Sequence, residues 1–469
     1  MAPGSRAREA GVLRGYCVRF VLAGCCASVA ALPASGETIS NALARAYNGN
    51  PDLNRTRAHT RGSDEAVARA KAGFRPQVSG TGSLGYNYAN ENVFGAMFVG
   101  SSFPTEAGLT VTQNLFNGNQ TVNGVRQAES QVLQSREQIR TTEQTTLQNG
   151  ATAYMNALRD AAVLELNRSN ILILEEQLRQ TRDRYGVGEV TFTDVAQTTA
   201  SLARARSNFY GSRSNVGRSA AAFREVIGDN IGRLEAARPV DELLPATIEE
   251  AIAVALTEHP LIQAALHEAD AAQLQVQINE AQLYPTLNLT GNVQQANQNQ
   301  GTPQNHLFNG SVLAQFSVPI YSGGATSASV RQAKEAQAEA RLTVDIQRDT
   351  VRANVITAWG VLQSTKAVIQ SSRAEVKASE LALQGVRDEA KVGQRTTLDV
   401  LTAQQMLLNA RVGLVSAERD RVVASYAVLG AIGRLSAATL HLPVVLYDPT
   451  VHFDQVKDKW GGLRTPDGR

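Results

Sequence analysis

The sequence contains the same series of segments twice, and this duplication limits the possible folds more than any other feature. ETISNALARAYNGNPDL at 37–53 aligns with ATIEEAIAVALTEHPLI at 246–262, an offset of 209 residues (246 minus 37). Further along, VRQA occurs at 125–128 and again at 330–333, an offset of 205 residues (330 minus 125). Because chance similarity would not keep a fixed spacing, these alignments indicate two copies of one structural unit.

A short motif recurs inside both copies. YGVGEVTFTDV at 185–195 and AKVGQRTTLDV at 390–400 share Val-Gly, then Thr, then Asp-Val, each between long helical runs. Glycine permits the positive φ that commonly ends a helix, and the threonine that follows can cap the next one. The motif therefore predicts a corner at which one long helix ends and a second helix returns.

The copies are predicted to share one order of elements. A short helix begins after Thr38 or Thr247 as N-cap, and Pro51 or Pro260 begins the next helical run. Two strands, a long helix, the corner and a return helix follow. The predicted divisions of the chain are a leader at 1–36, a first repeat at 37–245, a second repeat at 246–440 and a tail at 441–469.

Each repeat is predicted to contain two strands and one long helical hairpin. Alternation of apolar and polar residues places the strands at about 76–90, 106–116, 285–296 and 310–321. Polar, glycine-containing linkers at 89–108 and 294–311 are predicted to be loops. The hairpins cover about 119–227 and 324–432, and at 1.5 Å per residue their long arms would each extend about 100 Å.

The return helix of each hairpin has an apolar residue at every seventh position, which is typical of coiled-coil packing. These residues are Val195, Leu202, Phe209, Val216 and Phe223 in the first repeat, and Leu401, Leu408, Val415, Val422 and Leu429 in the second. The second return helix has another apolar register at Val400, Leu407, Leu414 and Val428. Two such seams favour a helix flanked on both sides, as in a closed ring of helices.

The N-terminal leader is typical of a secretory signal. Four arginines precede the apolar run FVLAGCCASVAALPASG, which is too short to span a membrane and ends in small residues. Cleavage after Gly36 is the favoured prediction. The alternative is a lipoprotein-processing box at LAGC, which would leave Cys25 acylated, although Arg19 allows only a short hydrophobic region before it.

Composition excludes several partners and sites. Cleavage after Gly36 would remove all three cysteines, leaving no disulfide or thiolate metal site. The mature chain would hold 41 basic residues (45 minus 4) and 42 acidic residues (43 minus 1), so no nucleic-acid partner is expected. Beyond the leader the sequence has no apolar run of about 18 residues that would form a transmembrane helix.

The number of predicted strands implies an oligomer. Small closed barrels need about eight strands, and an open sheet edge in a bilayer leaves backbone groups without hydrogen bonds. Four strands with one apolar face and one Ser/Gly/Asn/Thr face suit a lipid-facing exterior around a wet lumen. Several chains must therefore pool their strands, eight from two copies or twelve from three.

These residues resemble the TolC family of outer-membrane channel proteins over essentially the whole mature chain. The resemblance depends on the duplication, Asn50-Pro51 in the first helical part, FNG and YSGG after the strands, and VGxxTxxDV at the corners. It implies a mainly α fold with a small antiparallel β part. Three copies would form a homotrimer with a twelve-stranded barrel in the outer-membrane lipid, continuous with a long periplasmic α-helical barrel.

The resemblance also implies a function. Family members are passive exit ducts that join inner-membrane transporters, of the ABC or RND type, through periplasmic adaptor (membrane fusion) proteins. Cargo is either protein, as in type I secretion, or drugs and other small molecules, and the lack of a convincing lipid-anchor box favours the protein-secretion branch. The segment PVVLYDPTVHFDQVKDKWGG resembles the alphaproteobacterial branch of the family.

Transfer by motif implies a closed periplasmic entrance at the corners. Asp399 matches the family's ring aspartate, Arg395 the latch arginine, and Asp194 the carboxylate that this arginine contacts in the neighbouring hairpin. Adaptor contacts are expected at the corner residues Val187, Gly188, Val392 and Gly393. Two positions depart from the family pattern, because Thr402 replaces a second ring acid and Ala390 replaces a latch tyrosine.

Simpler interpretations stand beside these. Asp194 and Asp399 would also be favourable as first-turn carboxylates near a helix dipole, Arg395 could be an ordinary solvated charge, and Tyr154 and Trp359 suit helix packing better than ligand stacking. The scattered histidines, and the lack of a catalytic or phosphate-binding motif, predict no metal, no cofactor and no enzyme activity. A periplasmic coiled-coil adaptor or structural protein remains the alternative function.

Overall fold

The computed structural model describes residues 36–93, 96–297 and 306–468. The predicted leader at 1–36 lies outside the described residues, apart from Gly36. The chain from Glu37 onward forms one compact unit, which is mainly helical with a small antiparallel sheet.

In the first repeat, two short helices precede four strands and a long helical hairpin. Thr38 caps the first helix, because its side chain accepts a hydrogen bond from the N–H of Asn41 at 3.3 Å. The elements are α1 (Ile39–Gly49), α2 (Pro51–Lys71), β1 (Gln77–Leu84), β2 (Asn87–Val93), β3 (Ala96–Ser102), β4 (Thr105–Phe116), α3 (Gln120–Gly186) and α4 (Phe192–Ile227).

The second repeat has the same order with two strands. Thr247 caps its first helix through the N–H of Glu250 at 3.2 Å. The elements are α5 (Ile248–Glu258), α6 (Pro260–Ala281), β5 (Thr286–Asn297), β6 (His306–Ser317), α7 (Ala325–Lys391) and α8 (Thr397–Ala431), and the tail adds α9 (Pro449–Val456). The long helices α3 and α7 each have 67 residues, about 100 Å at 1.5 Å per residue.

The predicted loop at 89–108 is wrong, since the structure places a β-hairpin there. Strands β2 and β3 pair antiparallel from Asn87 with Ser102 to Val93 with Ala96. The segment predicted as one strand at 76–90 is divided, because β1 ends at Leu84 and β2 begins at Asn87. The polar and glycine residues of this segment suggested a loop, but backbone pairing between the two strands satisfies their N–H and C=O groups. In the second repeat, β5 and β6 extend into the predicted loop at 294–311, of which 298–305 lie outside the described residues.

The main sheet has the order β1-β4-β5-β6, entirely antiparallel. Its register pairs Val78 with Val111, Leu109 with Val293, and Gly291 with Val312, so these side chains share one face. That face carries exposed apolar residues, namely Val78, Leu84, Leu109, Val111, Leu289, Val293, Phe308, Val312 and Phe316. The opposite face is mainly Ser, Thr, Asn and Gln. The predicted separation into an apolar and a polar face is therefore present.

Helix α8 lies between its own hairpin partner, α7, and the first hairpin. Its Leu401 packs in a cluster with Leu178 of α3 and Leu202 of α4, while its Leu407 packs with Leu383 of α7. Both seven-residue registers of α8 are buried or half-buried. The second seam on this helix is thus occupied because α8 has partners on two sides.

The main hydrophobic core lies where the short helices meet the long ones. Tyr154 is fully buried there, and its hydroxyl donates to the carbonyl oxygen of Glu37 at 2.6 Å and accepts the N–H of Glu235 at 3.1 Å. Trp359, at the equivalent position of the second repeat, packs half-buried against the same core. Both aromatic residues therefore serve helix packing.

Candidate functional site

The two helix-return corners are built in the same way. In the first, Gly188 has φ +80° and its N–H donates to the carbonyl oxygen of Tyr185 at 3.0 Å. In the second, Gly393 has φ +80° and its N–H donates to Ala390 at 3.2 Å. A positive φ is rare for residues other than glycine. The duplicated Val-Gly therefore exists because each long helix must end in a tight turn.

A capping box begins each return helix. Asp194 accepts hydrogen bonds from the Thr191 backbone N–H at 2.9 Å and hydroxyl at 2.7 Å, while the Thr191 hydroxyl accepts the Asp194 N–H at 3.3 Å. Thr396 and Asp399 repeat this arrangement. Hydrogen bonds from threonine hold the pKa of both carboxyl groups below the ordinary aspartate value. Both aspartates thus have a local structural role at the start of a helix.

Acidification is expected to loosen both corners together. A carboxyl group with a lowered pKa in the folded state contributes stability above its unfolded pKa, about 3.9. That contribution is lost as the pH falls through the lower, folded pKa. Hydrogen exchange of the first-turn amides of α4 and α8 should therefore accelerate below about pH 4, after correction for intrinsic exchange. Protection that stays constant down to pH 2 would contradict this role for Asp194 and Asp399.

The corners carry ion pairs of opposite polarity. In the first, Arg184 at the end of α3 contacts Glu189 in the turn at 3.0 Å. In the second, Glu389 at the end of α7 contacts Arg395 in the turn at 2.7 Å. Arg184 and Glu389 occupy equivalent positions, because they are 205 residues apart (389 minus 184). The sequence interpretation missed this reversal; aligning the repeats at that offset places Arg184 opposite Glu389, but the turn partners Glu189 and Arg395 align with Gln394 and Val190.

The structure brings two of the three predicted gate residues to one groove. Asp194 and Arg395 both line a groove of about 780 Å³ between the two corners. Within this chain Arg395 is bonded to Glu389, and Asp194 is bonded to Thr191, while the Thr397 side chain on the other corner also helps to lower the pKa of Asp194. The third residue, Asp399, is half-buried beside Arg395, whose charge also lowers the pKa of Asp399. Arg395 and Asp194 thus line one groove, while each is bonded to a residue of its own corner.

The predicted adaptor-contacting residues lie at the tips of the corners. Val187 and Val392 are 73% and 71% exposed, and the space around Gly188 and Gly393 is open. Sequence analysis missed three other exposed apolar residues nearby, Tyr185, Phe192 and Leu398. Tyr185 is equivalent to Ala390, so the tyrosine absent from the second corner is present in the first, where its ring lies 6.2 Å from that of Phe192.

The position of the missing ring acid is exposed. Thr402 lies on α8, nearly one turn after Asp399, with its side chain open to solvent. Among the residues that the structure describes, no group of three or more His, Cys, Asp or Glu side chains is arranged to hold a metal ion. None of the described helices is both long and apolar enough to cross a membrane.

Comparison with known proteins identifies the family. A family model described as outer membrane efflux protein matches residues 41–229 and again 251–434, once in each repeat. Outer membrane efflux protein BepC of Brucella suis is 41% identical over 436 residues, covering 93% of this chain and 94% of BepC. Outer membrane protein TolC of Escherichia coli is 25% identical, covering 86% of this chain and 84% of TolC.

Two further proteins extend the comparison. Alkaline protease secretion protein AprF of Pseudomonas aeruginosa is 27% identical, covering 71% of this chain and 70% of AprF. The crystal structure of the CmeC outer membrane channel of Campylobacter jejuni superimposes with a TM-score of 0.76 at 16% identity, covering 89% of each chain, which shows a shared fold. The chain therefore belongs to the outer membrane efflux protein family, the family of TolC, and is an outer-membrane protein whose long helices extend into the periplasm.

Proposed function

We propose that three copies of this chain form a passive exit duct across the outer membrane, which receives cargo from an inner-membrane ABC or RND transporter and a periplasmic adaptor. The observation that carries this proposal is that the outer membrane efflux protein family model matches both repeats. The fold agrees with it, since two long helical hairpins are joined to a four-stranded sheet that has one apolar face. The alternative of a periplasmic adaptor is disfavoured, since an adaptor is expected to hold one helical hairpin.

The sheet edges support assembly of several copies. Among the described residues, β1 and β6 each pair on one side only, which leaves a row of backbone donors and acceptors at each edge. In a bilayer such edges must pair, because lipid cannot hydrogen-bond them. Joining β6 of one copy to β1 of the next would close a barrel of twelve strands (three times four), with the apolar face toward lipid and the polar face toward the lumen.

The helices offer a second surface for assembly. Helix α7 packs against α8, α6 and α5, but several of its apolar side chains remain exposed. These side chains are Leu342, Ile346, Ile356, Val361, Val368 and Leu381. Exposed apolar residues along so long a helix indicate a protein interface, and α4 of a neighbouring copy is the partner that a closed ring of hairpins would supply.

The corners are the proposed meeting point with the adaptor and the closed entrance of the duct. Val187, Val392 and their exposed apolar neighbours would contact the helical tips of the adaptor. Asp399 from three copies would form an acidic ring, and Arg395 would exchange its partner Glu389 for Asp194 of a neighbouring hairpin when the entrance closes. Without an acid at Thr402 and a tyrosine at Ala390, the ring would carry less charge and the latch would have one contact fewer.

Deletion of the gene tests the function directly. Loss of an exit duct should raise sensitivity to dyes and detergents if the cargo is small molecules, and should abolish secretion of repeat-toxin-type proteins if it serves type I secretion. The relatives BepC and AprF are named for efflux and for protease secretion respectively, so both assays are needed. Wild-type behaviour of the deletion strain in both assays would refute the proposal.

Complementation with altered corners adds a control. The double variant Val187→Asp and Val392→Asp should reach the outer membrane in normal amount yet fail to restore export, because charge at the tips would oppose docking. Val445→Asp changes an equally exposed apolar residue in the tail and should complement fully. Equal complementation by both variants would remove the corners from the adaptor interface.

A further inference from the structure

The end of the tail packs against the residues that lead into strand β1. Lys71 Nζ lies 2.6 Å from a carboxylate oxygen of Asp458. Arg75, two residues before the start of β1, donates to the carbonyl oxygen of Lys459 at 2.7 Å and lies 4.5 Å from the ring centroid of Trp460. These contacts hold the end of the tail at the base of the sheet, where the strands join the helices.

The segment 457–464, termed the tail loop, has an excess of positive charge. Lys457 is balanced by Asp454 at 2.7 Å, and the charge of Asp458 is balanced by Lys71. Lys459 Nζ donates to the carbonyl oxygen of Arg464, a neutral group, and the Arg464 side chain is exposed. The guanidinium of Arg75 likewise bonds backbone carbonyls. Three cations, Arg75, Lys459 and Arg464, therefore lie together on or beside the loop.

The tail loop also exposes large apolar side chains at the base of the sheet. Trp460 is 75% exposed and Leu463 is fully exposed. Phe74, Tyr284 and Tyr321 are exposed where the strands join the helices. Tryptophan and tyrosine concentrate at membrane–water interfaces, since one part of the side chain is apolar and the other can stay wet. The loop thus continues, toward the helices, the apolar surface that the sheet presents to lipid.

We propose that the tail loop is a lipid anchor at the periplasmic surface of the outer membrane. Trp460 and Leu463 insert among the headgroups, and Lys459 and Arg464 bind phosphate groups of anionic phospholipid. The ligand is phospholipid of the periplasmic leaflet, because the loop lies at the end of the sheet from which the helices leave. This proposal depends on the outer-membrane location of the chain and not on its export activity. The lipid anchor and the proposed export function can therefore fail separately.

Tryptophan fluorescence in lipid tests the anchor. The chain has two tryptophans, Trp359 and Trp460, so Trp359→Phe makes Trp460 the sole emitter in the full-length protein. We expect Trp460 in phosphatidylethanolamine/phosphatidylglycerol vesicles to lose most of its emission when the phospholipid is brominated near the glycerol, and little when the chain ends are brominated. Equal emission in brominated and unbrominated vesicles would overturn the proposal, because Trp460 would then be surrounded by water or by a neighbouring copy and not by lipid.

The matched control is Trp460→Phe, which keeps Trp359. Trp359 packs against the helical core, so brominated lipid should leave its emission unchanged. Stronger quenching of Trp460 from the chain ends than from the glycerol end would also contradict an interfacial position. Neither result depends on transport, since fluorescence reports the position of the loop.

The charge of the loop is tested with lipid selectivity. Brominated phosphatidylglycerol should quench Trp460 more than brominated phosphatidylcholine, and each of Lys459→Gln and Arg464→Gln should reduce this preference, by about fivefold for a residue at the surface. Lys366→Gln, which removes an exposed lysine from α7, should leave it unchanged. Loss of the preference on adding inorganic phosphate at constant ionic strength would indicate a free-phosphate site and overturn the lipid assignment, as would equal quenching by the two lipids.

Discussion

Gly118→Ala is expected to prevent this chain from accumulating as a folded outer-membrane protein. Gly118 joins β4 to α3 with φ +64°, and a Cβ there would lie 2.7 Å from Cβ of Tyr284 and 2.9 Å from the carbonyl oxygen of Ala281. The left-handed conformation costs alanine about 1 to 2 kcal/mol, and a clash with backbone adds about 1 to 3 kcal/mol or more. The amount of protein in the outer-membrane fraction, and of heat-sensitive oligomer on gels, should fall strongly.

Gly323→Ala is the matched variant at the equivalent position of the second repeat. Gly323 has the same φ, +64°, but within one chain its Cβ would meet open space. The single chain therefore predicts a milder defect, limited to backbone strain. In the proposed ring of repeats, however, Gly323 would face Ala72 and Arg75 of the next copy, which are equivalent to Ala281 and Tyr284.

The two variants together separate folding from assembly. We expect Gly323→Ala chains to fold but to form fewer trimers, whereas Gly118→Ala chains should fail before that stage. A Gly323→Ala protein with wild-type trimer stability would contradict the proposed neighbour contact. A normal amount of Gly118→Ala trimer would contradict the close contact with Tyr284 seen in the structure.

The fold was largely predictable because its main elements are long and periodic. The hairpins run from Gln120 to Ile227 and from Ala325 to Ala431, against expected ranges of about 119–227 and 324–432, since glycine marks each corner and a polar or glycine turn marks each start. The duplication helped further, because each copy served as a check on the other. Seven-residue spacing also predicted that α8 would have partners on both sides, and Leu401 and Leu407 contact different neighbours.

The β2–β3 hairpin was not predictable by the same means. It occurs in the first repeat without a counterpart among the described residues of the second, so comparison of the copies gave no signal. Strand β2, NYANENV, is mainly polar, and the apolar residues of β3 follow one another in AMFV without the alternation that identifies a strand. Backbone pairing between Asn87 and Ser102 forms it, and such pairing leaves little trace in a sequence.

For the corner residues, the sequence predicted the backbone turn but not the side-chain partners. Position and turn chemistry were predictable, because glycine and threonine have few other uses at the end of one helix and the start of another. The side-chain partners were not, since Arg395 lies near both Glu389 and Asp399 and sequence cannot rank them. In the structure its partner is Glu389 of the same corner, while Asp194 and Asp399 each occupy a capping box.

Arg395→Ser is expected to raise the single-channel conductance of the trimer in planar bilayers several-fold. If Arg395 latches the closed entrance, three symmetric copies lose the contact at once, and the population shifts toward the open state. The choice of partner is testable with the same measurement. Asp194→Asn should also raise the conductance, because it removes the proposed closed-state partner, whereas Glu389→Gln should not, because it removes the competing one.

The proposed acidic ring is tested by measuring ion selectivity in the same planar bilayers. The control is a variant of the equivalent capping box in the first corner. Asp399→Asn and Asp194→Asn disturb equivalent capping boxes, so damage to the start of a helix should be similar in both. Asp399→Asn should reduce the preference for cations more than Asp194→Asn does, because only Asp399 is proposed to form the acidic ring. Equal ion selectivity in the two variants would restrict Asp399 to its capping role. Equal conductance in wild type and Arg395→Ser would leave Arg395 as an exposed charge paired with Glu389, a kind of contact that contributes little by itself.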